Sequence, residues 1–323
     1  MASDTRLAGR GLAGAGRGKI GVVIPVRDGA AVLADGLTGV VAQARDLGAE
    51  VVVVDDASTD GTADVAREAG ATVLALGSPS GPYIARNAGW RSLSSDVVVF
   101  TDARCRPQAG WLAAIVAPFG DPEVAVAGGD IVTLSGPTTA MQWAAEQQSM
   151  RIAVHLEDAY YLPAATTANM AVRRSVLAQV DGFAAIRSGG DIDICWRVQE
   201  RGLGKVVAAD GARMEMVPRE STRDVLRQWR RFGYGHLEMH LRHPQRGELQ
   251  PPVSPMTLSA ATARGVAGVV FRPRGSRRVR ALDVARSVAY HRAYARAWRE
   301  WERAGSPTYQ SIDDAASPNT AAT

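Results

Sequence analysis

Carboxylates recur at the ends of short apolar runs in this chain. Asp55 and Asp56 follow four consecutive valines, Val51 to Val54. Asp102 follows the run from Asp96 to Thr101, and Asp191 and Asp193 stand in Gly190-Asp-Ile-Asp193. A buried carboxylate without a partner is costly. Acids repeated at element ends therefore face water, a cation or a polar ligand, and binding of one of these is the chemistry expected of them. The plainer alternative is that they finish strands and cap helices. Asp60 or Thr59 has that role before a helix expected over Ala63 to Ala69, and Asp55 is expected to shape its turn.

The elements that must hold these acids follow from periodicity. Four β-branched residues in a row are too short for a helix and fit a strand buried on both faces. Ile20 to Val26, Val51 to Val54, Thr72 to Leu76 and Asp96 to Thr101 are expected strands. Helices over Ala30 to Leu47, Ala63 to Ala69 and Tyr83 to Leu93 alternate with them, and Gly48 and Gly70 stop the first two. This alternation predicts an α/β fold with a mostly parallel central sheet, right-handed crossovers and flanking helices. In such a sheet, ligands bind outside the carboxyl ends of the strands, where Asp55 and Asp56 lie.

The second half is less regular. Helices are expected over Gly110 to Ala117, Thr138 to Leu156, Gly189 to Arg201 and Ser221 to Arg242. Strands are expected over Val124 to Leu134, Ala164 to Val172 and Lys205 to Val217. Pro251 to Pro255 reads as a linker to two helices, Leu258 to Val270 and Arg277 to Arg303. Residues 1–18 and 304–323 read as disordered.

Composition narrows the setting. The 323 residues carry a net charge of +4 and 46% hydrophobic residues, which is ordinary for a globular protein. Between Arg213 and Arg303 there are 19 Arg against 8 Asp or Glu, an excess of 19 − 8 = 11. That surplus fits phosphates, an acidic lipid surface or nucleic acid, but no recognised nucleic-acid motif accompanies it. Cys105 and Cys195 are too few for a disulfide framework or a thiolate zinc site and fit a reducing, cytoplasmic location. No run approaches the roughly 20 apolar residues of a spanning helix. A dinucleotide fold needs Gly-x-Gly-x-x-Gly directly after the first strand, where this chain has Pro25-Val-Arg-Asp28. The same position lacks the Gly-rich basic loop of a nucleotidyltransferase, and no Walker A motif is present.

Five stretches in order resemble the family 2 glycosyltransferases: Val22-Val-Ile-Pro-Val-Arg-Asp28, Val52-Val-Val-Asp-Asp-Ala-Ser-Thr-Asp-Gly-Thr62, Ala85-Arg-Asn-Ala-Gly89, Phe100-Thr-Asp102 and Gly190-Asp-Ile-Asp193. The resemblance implies a GT-A domain over residues 19–250, with a nucleotide half at 20–107 and an acceptor half at 108–245. A basic helical extension at 251–303 follows it. The implied activity is inverting transfer of a sugar from a nucleotide-diphosphate donor to an acceptor hydroxyl, usually with Mg or Mn. The resemblance assigns Pro25, Arg27, Asp56, Arg86 and Asp102 to the donor and Asp191 to the general base, and Arg104 joins the donor side because a guanidinium binds diphosphate. Asp193, Trp196, Gln228 and Arg231 go to the acceptor or diphosphate side, with Gln228 and Arg231 in Gln228-Trp-Arg-Arg-Phe232, which resembles the Gln-x-x-Arg-Trp motif of polymer synthases. Asp102 and His236 are the implied metal ligands; the plainer reading of His236 is a surface residue on a basic helix. Trp90, Trp111, Trp143, Cys105 and Cys195 are expected core residues.

Two positions depart from the family pattern. Arg104 replaces the second metal-binding acid, and an arginine binds diphosphate but not a metal ion. Gly190 replaces the acid that precedes the base. These departures keep a second reading open, a sugar-nucleotide binding or scaffolding protein that has lost turnover. The expected partners are a nucleotide-diphosphate sugar, an unidentified acceptor and, peripherally, an acidic membrane surface, with no nucleic acid.

Overall fold

The structure, a computed structural model, describes residues 19–152, 156, 159, 161–270 and 273–305. The segments 1–18 and 306–323, expected to be disordered, lie outside the described residues. The β-branched runs form the strands β1 (Ile20–Val26), β2 (Glu50–Asp55), β3 (Thr72–Ala75) and β4 (Val97–Thr101). Four more follow: β5 (Cys105–Pro107), β6 (Val124–Thr133), β7 (Asn169–Arg173) and β8 (Lys205–Met216). They make one eight-stranded sheet in the order β3-β2-β1-β4-β7-β6-β8-β5.

The first four strands are parallel, as expected. β7 runs antiparallel to both β4 and β6, and β5 runs antiparallel to β8 at the far edge, so the whole sheet is mixed. Side chains alternate across the pleat. Val22, Ile24, Val51 and Val53 enter one core, while Val23, Val52 and Val54 enter the other.

Helices α1 (Ala30–Asp46) and α4 (Trp111–Val116) cover the first face with Leu33, Leu37, Val40, Trp111 and Ile115. The second face is covered by α3 (Pro82–Ser92), α6 (Arg174–Gln179) and α7 (Gly190–Glu200); α2 (Thr62–Glu68) flanks β2 and β3. Trp90, Trp111, Cys105 and Cys195 are buried, as their plain readings hold. The sheet curls until β5 lies against α1. A Cβ at Gly36 would run into the carbonyl oxygen of Cys105 there, so glycine is what permits this approach.

Helix α5 (Thr139–Gln147) stops well short of the expected Leu156. Gln148 turns left-handed at φ 42, and its amide pairs with the backbone of Thr133 at the end of β6 (3.2 and 3.0 Å). The side chain thus extends the sheet instead of the helix. The strand expected from Ala164 begins only at Asn169, because Asn169 closes a turn onto the Thr166 carbonyl.

The extension comprises α8 (Thr222–Arg242), α9 (Pro255–Val270) and α10 (Arg274–Arg303). Ser221 caps α8 by accepting the Arg223 N–H at 3.2 Å. Val279 and Leu282 of α10 pack with Val225 of α8 and Ala140 and Trp143 of α5, which fastens the extension to the sheet domain.

Gly36→Ala should lower stability by about 1–3 kcal/mol, the usual range for overpacking. Gly77→Ala, where a Cβ meets nothing within 4 Å, should be close to neutral. Equal urea midpoints for the two variants would show that α1 and β5 are not seated this tightly.

Candidate active site

The carboxyl ends of β1 and β2 meet in a turn held by acids. Asp55 accepts the Ser58 N–H at 2.9 Å, so it shapes the turn as expected. Asp28 accepts the Thr59 N–H at 2.8 Å, and the Asp28 N–H donates to the Ser58 hydroxyl at 2.9 Å. Asp60 accepts N–H groups from Ala30 and Thr62, each at 3.1 Å, and the Thr62 hydroxyl as well. One carboxylate therefore serves the first turns of both α1 and α2. Asp60 is held below the usual carboxylate range, chiefly by the Thr62 hydroxyl.

Asp56 is buried beside this turn. Its two oxygens accept the N–H groups of Ser80 and Gly81 at 2.6 and 2.8 Å, fixing the loop that opens α3. Pro25 is half-buried at the end of β1, and the exposed Arg27 lies 3.6 Å from Asp28.

A second group surrounds Tyr83, on the first turn of α3. Arg86, buried one turn later, lies over the Tyr83 ring at 5.6 Å and donates to Asp102 at 2.6 Å. Its Nε is buried with no hydrogen-bond partner. Gly190, where the family has an acid, leaves room for the ring: a Cβ there would sit 2.8 Å from Tyr83. Burial raises the Tyr83 hydroxyl pKa, and the charge of Asp191 adds to it while Arg86 opposes it. Asp191 is half-exposed on the first turn of α7. Asp191 thus acts on Tyr83 through its charge, and Asp102 is joined to the ring through Arg86.

Arginines complete the site. Arg104 is half-buried, and burial and the neighbouring Arg219 lower its pKa against the opposing charges of Glu220 and Asp224. On α8, desolvation and the same Arg219 lower the pKa of Arg231, with Tyr83 opposing. Among the described residues, none of Arg104, Arg219 and Arg231 has an acid within ion-pair distance. Arg219 thus links Arg104 to Arg231, and Arg231 in turn reaches Tyr83; like charges gathered without acidic partners suit an anion. Gln228, half-buried, lies one turn before Arg231 on α8. Tyr83 and Arg219 carried no signal in the sequence, because neither belongs to a motif with a reacting group.

Three expectations are corrected. Asp193 is fully buried and binds Arg197, Arg242 and His243, so it anchors α7 to the end of α8 and does not face an acceptor. Burial works to raise its pKa, but the His243 hydrogen bond and the two arginines hold it at about 2. Trp196 is also core. Its indole N–H donates to the Leu162 carbonyl at 2.8 Å, and its ring meets Tyr161 and His243 edge-on. His236 packs edge-on against Tyr290 and Tyr294 of α10 instead of joining Asp102. Burial, Arg246 and the neighbouring histidines push its pKa down to about 4. Among the described residues, no three His, Cys, Asp or Glu side chains gather into a metal site.

Residues 21–181 match glycosyl transferase family 2. The chain belongs to this family. It is 32% identical over 243 residues to a pre-mycofactocin glycosyltransferase of Mycobacterium tuberculosis, covering 70% of this chain and 48% of that protein. It is 28% identical over 201 residues to glycosyltransferase AglE of Haloferax volcanii, covering 59% of this chain and 64% of that protein. The chain thus spans less than two thirds of either relative. Among solved structures it resembles a Pyrobaculum calidifontis mannosyltransferase in complex with GDP-Man and Mn2+ (TM-score 0.59, 21% identity, 85% of this chain and 87% of that one). It also resembles a Mycobacterium tuberculosis glucosyl-3-phosphoglycerate synthase in complex with Mg2+ and UDP (TM-score 0.51, 18% identity, 73% and 82%). The fold is GT-A, as the family resemblance implies.

The Asp193 anchor gives a clean contrast with its neighbour. Asp193→Ala should cost roughly 3–5 kcal/mol, since it strands buried positive charge, whereas Asp191→Asn should leave the urea midpoint almost unchanged. Because the folded pKa lies below the ordinary 3.8, the Asp193 contribution is complete above that value and fades as pH falls through about 2. Equal loss in both variants would refute the separation of roles.

Proposed function

We propose that the protein moves a sugar from a nucleotide-diphosphate donor to an acceptor hydroxyl, with inversion at the anomeric carbon. The observation that supports this best is Tyr83 with Asp191, Arg86 and Arg231 acting on it, and with Arg219 joining Arg231 to Arg104, in a family 2 chain. Asp191 takes the proton of the acceptor hydroxyl as its oxygen forms the new bond to the anomeric carbon. The bond from that carbon to the diphosphate oxygen breaks, and the diphosphate leaves with the electron pair. The arginines meet the charge that develops on it. Gln228 lines the same side from α8.

The donor nucleotide belongs to residues 20–107, with Asp56 at the base and Pro25, Arg27 and Arg86 beside it. Asp56 already serves Ser80 and Gly81, but a carboxylate has about four lone-pair sites and can accept further N–H groups. The acceptor belongs to residues 108–245. The basic extension carries a peripheral contact with an acidic membrane surface, in a cytoplasmic setting.

The two solved neighbours were crystallised with Mn2+ or Mg2+. The residues of this chain do not fit such an ion. Among the described residues no three potential ligands gather there, one Asp102 oxygen is taken by Arg86, and Arg104 stands where a second acid would be. The diphosphate charge is met by arginine here, and no step is assigned to a metal.

Asp191→Asn should reduce transfer by about 10²–10⁴-fold while donor binding is retained. Unreduced turnover, or lost donor binding, would remove Asp191 as the base. Asp56→Ala should weaken calorimetric binding of the nucleoside diphosphate in a folded protein; unchanged affinity would take Asp56 out of the site. Turnover of a nucleotide-sugar panel should persist in the presence of a chelator and fall in Arg104→Ala. Loss of turnover on chelation would overturn the arginine reading. Donor binding without turnover on any acceptor would favour the lapsed binder, which Arg104 also fits.

A further inference from the structure

Helix α9 is out of place for a helix in water. None of its residues is buried, although nearly all are apolar or small and Arg264 is its single charge. Leu258, Thr262, Gly265 and Val269, at helical spacing, are half-buried on the side toward α10, and a Cβ at Gly265 would meet Val284. The opposite stripe, Met256, Ala260, Ala263, Ala267 and Val270, is exposed, with Met256 80% and Val270 57% accessible. Both faces are therefore apolar, and one has no cover among the described residues. A helix that is apolar all round belongs in a core or in lipid.

The charge around this helix is one-sided. Residues 249–282 contain no Asp or Glu, and they contain Arg264, Arg272, Arg274, Arg277, Arg278 and Arg280. Arg264, Arg277 and Arg278 are exposed, and Arg277 also donates to the Val270 carbonyl at the end of α9 (2.9 Å). At 1.5 Å per residue, the 16 residues of α9 reach about 24 Å, short of the roughly 30 Å hydrocarbon core. No helix among the described residues is long and apolar enough to cross a membrane. Such a segment lies in the plane of a bilayer surface, with its apolar side among the acyl chains and arginines at the headgroups. A second copy is the poorer occupant, since a two-fold contact through α9 would bring the same arginines together.

We infer that α9 is an in-plane membrane anchor that docks the protein on anionic lipid. This refines the membrane-contact part of the function proposed above and does not depend on sugar transfer, so vesicle binding and turnover fail separately. The α10 residues Val279 and Leu282 pack against α8, so the anchor is joined through one helix to the helix that carries Arg231.

The test is sedimentation of the full chain with vesicles of phosphatidylcholine alone or mixed with phosphatidylglycerol, at low and high salt. The chain should sediment with the mixed vesicles at low salt and much less with phosphatidylcholine alone or at high salt. Met256→Asp with Val270→Asp, both on the exposed stripe, should weaken binding by about tenfold or more with an unchanged melting temperature. Arg264→Gln with Arg278→Gln should weaken it and flatten its salt dependence. Absence of sedimentation at low salt, or variants that bind as the wild type does, would overturn the proposal. So would light scattering that shows a dimer abolished by Met256→Asp and Val270→Asp, since the stripe would then belong to a second copy.

Discussion

The buried carboxylate of Asp193 is the constraint on which the second half of the molecule depends. It sits at the first turn of α7 and draws in Arg197 from its own helix and Arg242 and His243 from the end of α8. His243 in turn meets Glu200 at 2.8 Å. A charge this deep is tolerable only when its partners are fixed. The end of α8 is therefore pinned to α7, and the 21-residue helix must run back past the site. Arg231 comes within reach of Tyr83 and Arg219 as a consequence. A residue two positions from Asp191 thus sets where Arg231 stands.

The two sides of the site differ in how their polar groups are satisfied. At the ends of β1 and β2, Asp28, Asp55, Asp56 and Asp60 spend oxygens on backbone N–H groups of the neighbouring turns. On the side of Tyr83 and Arg219 the balance is reversed: among the described residues, Arg104, Arg219 and Arg231 have no acid at ion-pair distance, and Arg86 keeps an unspent buried N–H. Unmatched cations repel one another, and that cost is recovered when an anion binds between them. That repulsion is what the diphosphate of the proposed donor would relieve.

Glycine positions decide how closely the layers approach. Gly36 lets α1 meet the turn after Asp102, and Gly89 lets α3 rest on Val23 and Val54. Both approaches bring site residues together, because Arg86 lies on α3 and Asp102 precedes the turn. Gly190 has a direct role, since the space it leaves is filled by the Tyr83 ring. The family departure at this position is thus linked to a residue that contacts it, and an acid there would collide with the tyrosine.

The four valines of β2, the alternation of strands and helices, and the acids at strand ends were legible in the sequence because local periodicity and short-range turns determine them. The roles of Asp55 and Asp60 in their turns are of this kind, each settled within a few residues or by the adjacent turn. Tertiary structure alone decided the rest. Asp191 and Asp193 look equivalent as letters, yet the helix turns one toward Tyr83 and the other into a cluster whose partners lie about 50 positions later. His236 was expected at the site from the family resemblance and Trp196 from its place after Asp193, but the packing of α10 on α8 and of α7 on the sheet claimed their rings. The antiparallel pairing of β7 with β4 is likewise a tertiary feature, and α5 ends early where the Gln148 side chain meets Thr133 at the end of β6. Spacing along the chain encodes which face a side chain occupies, but not which distant charge or ring arrives to meet it.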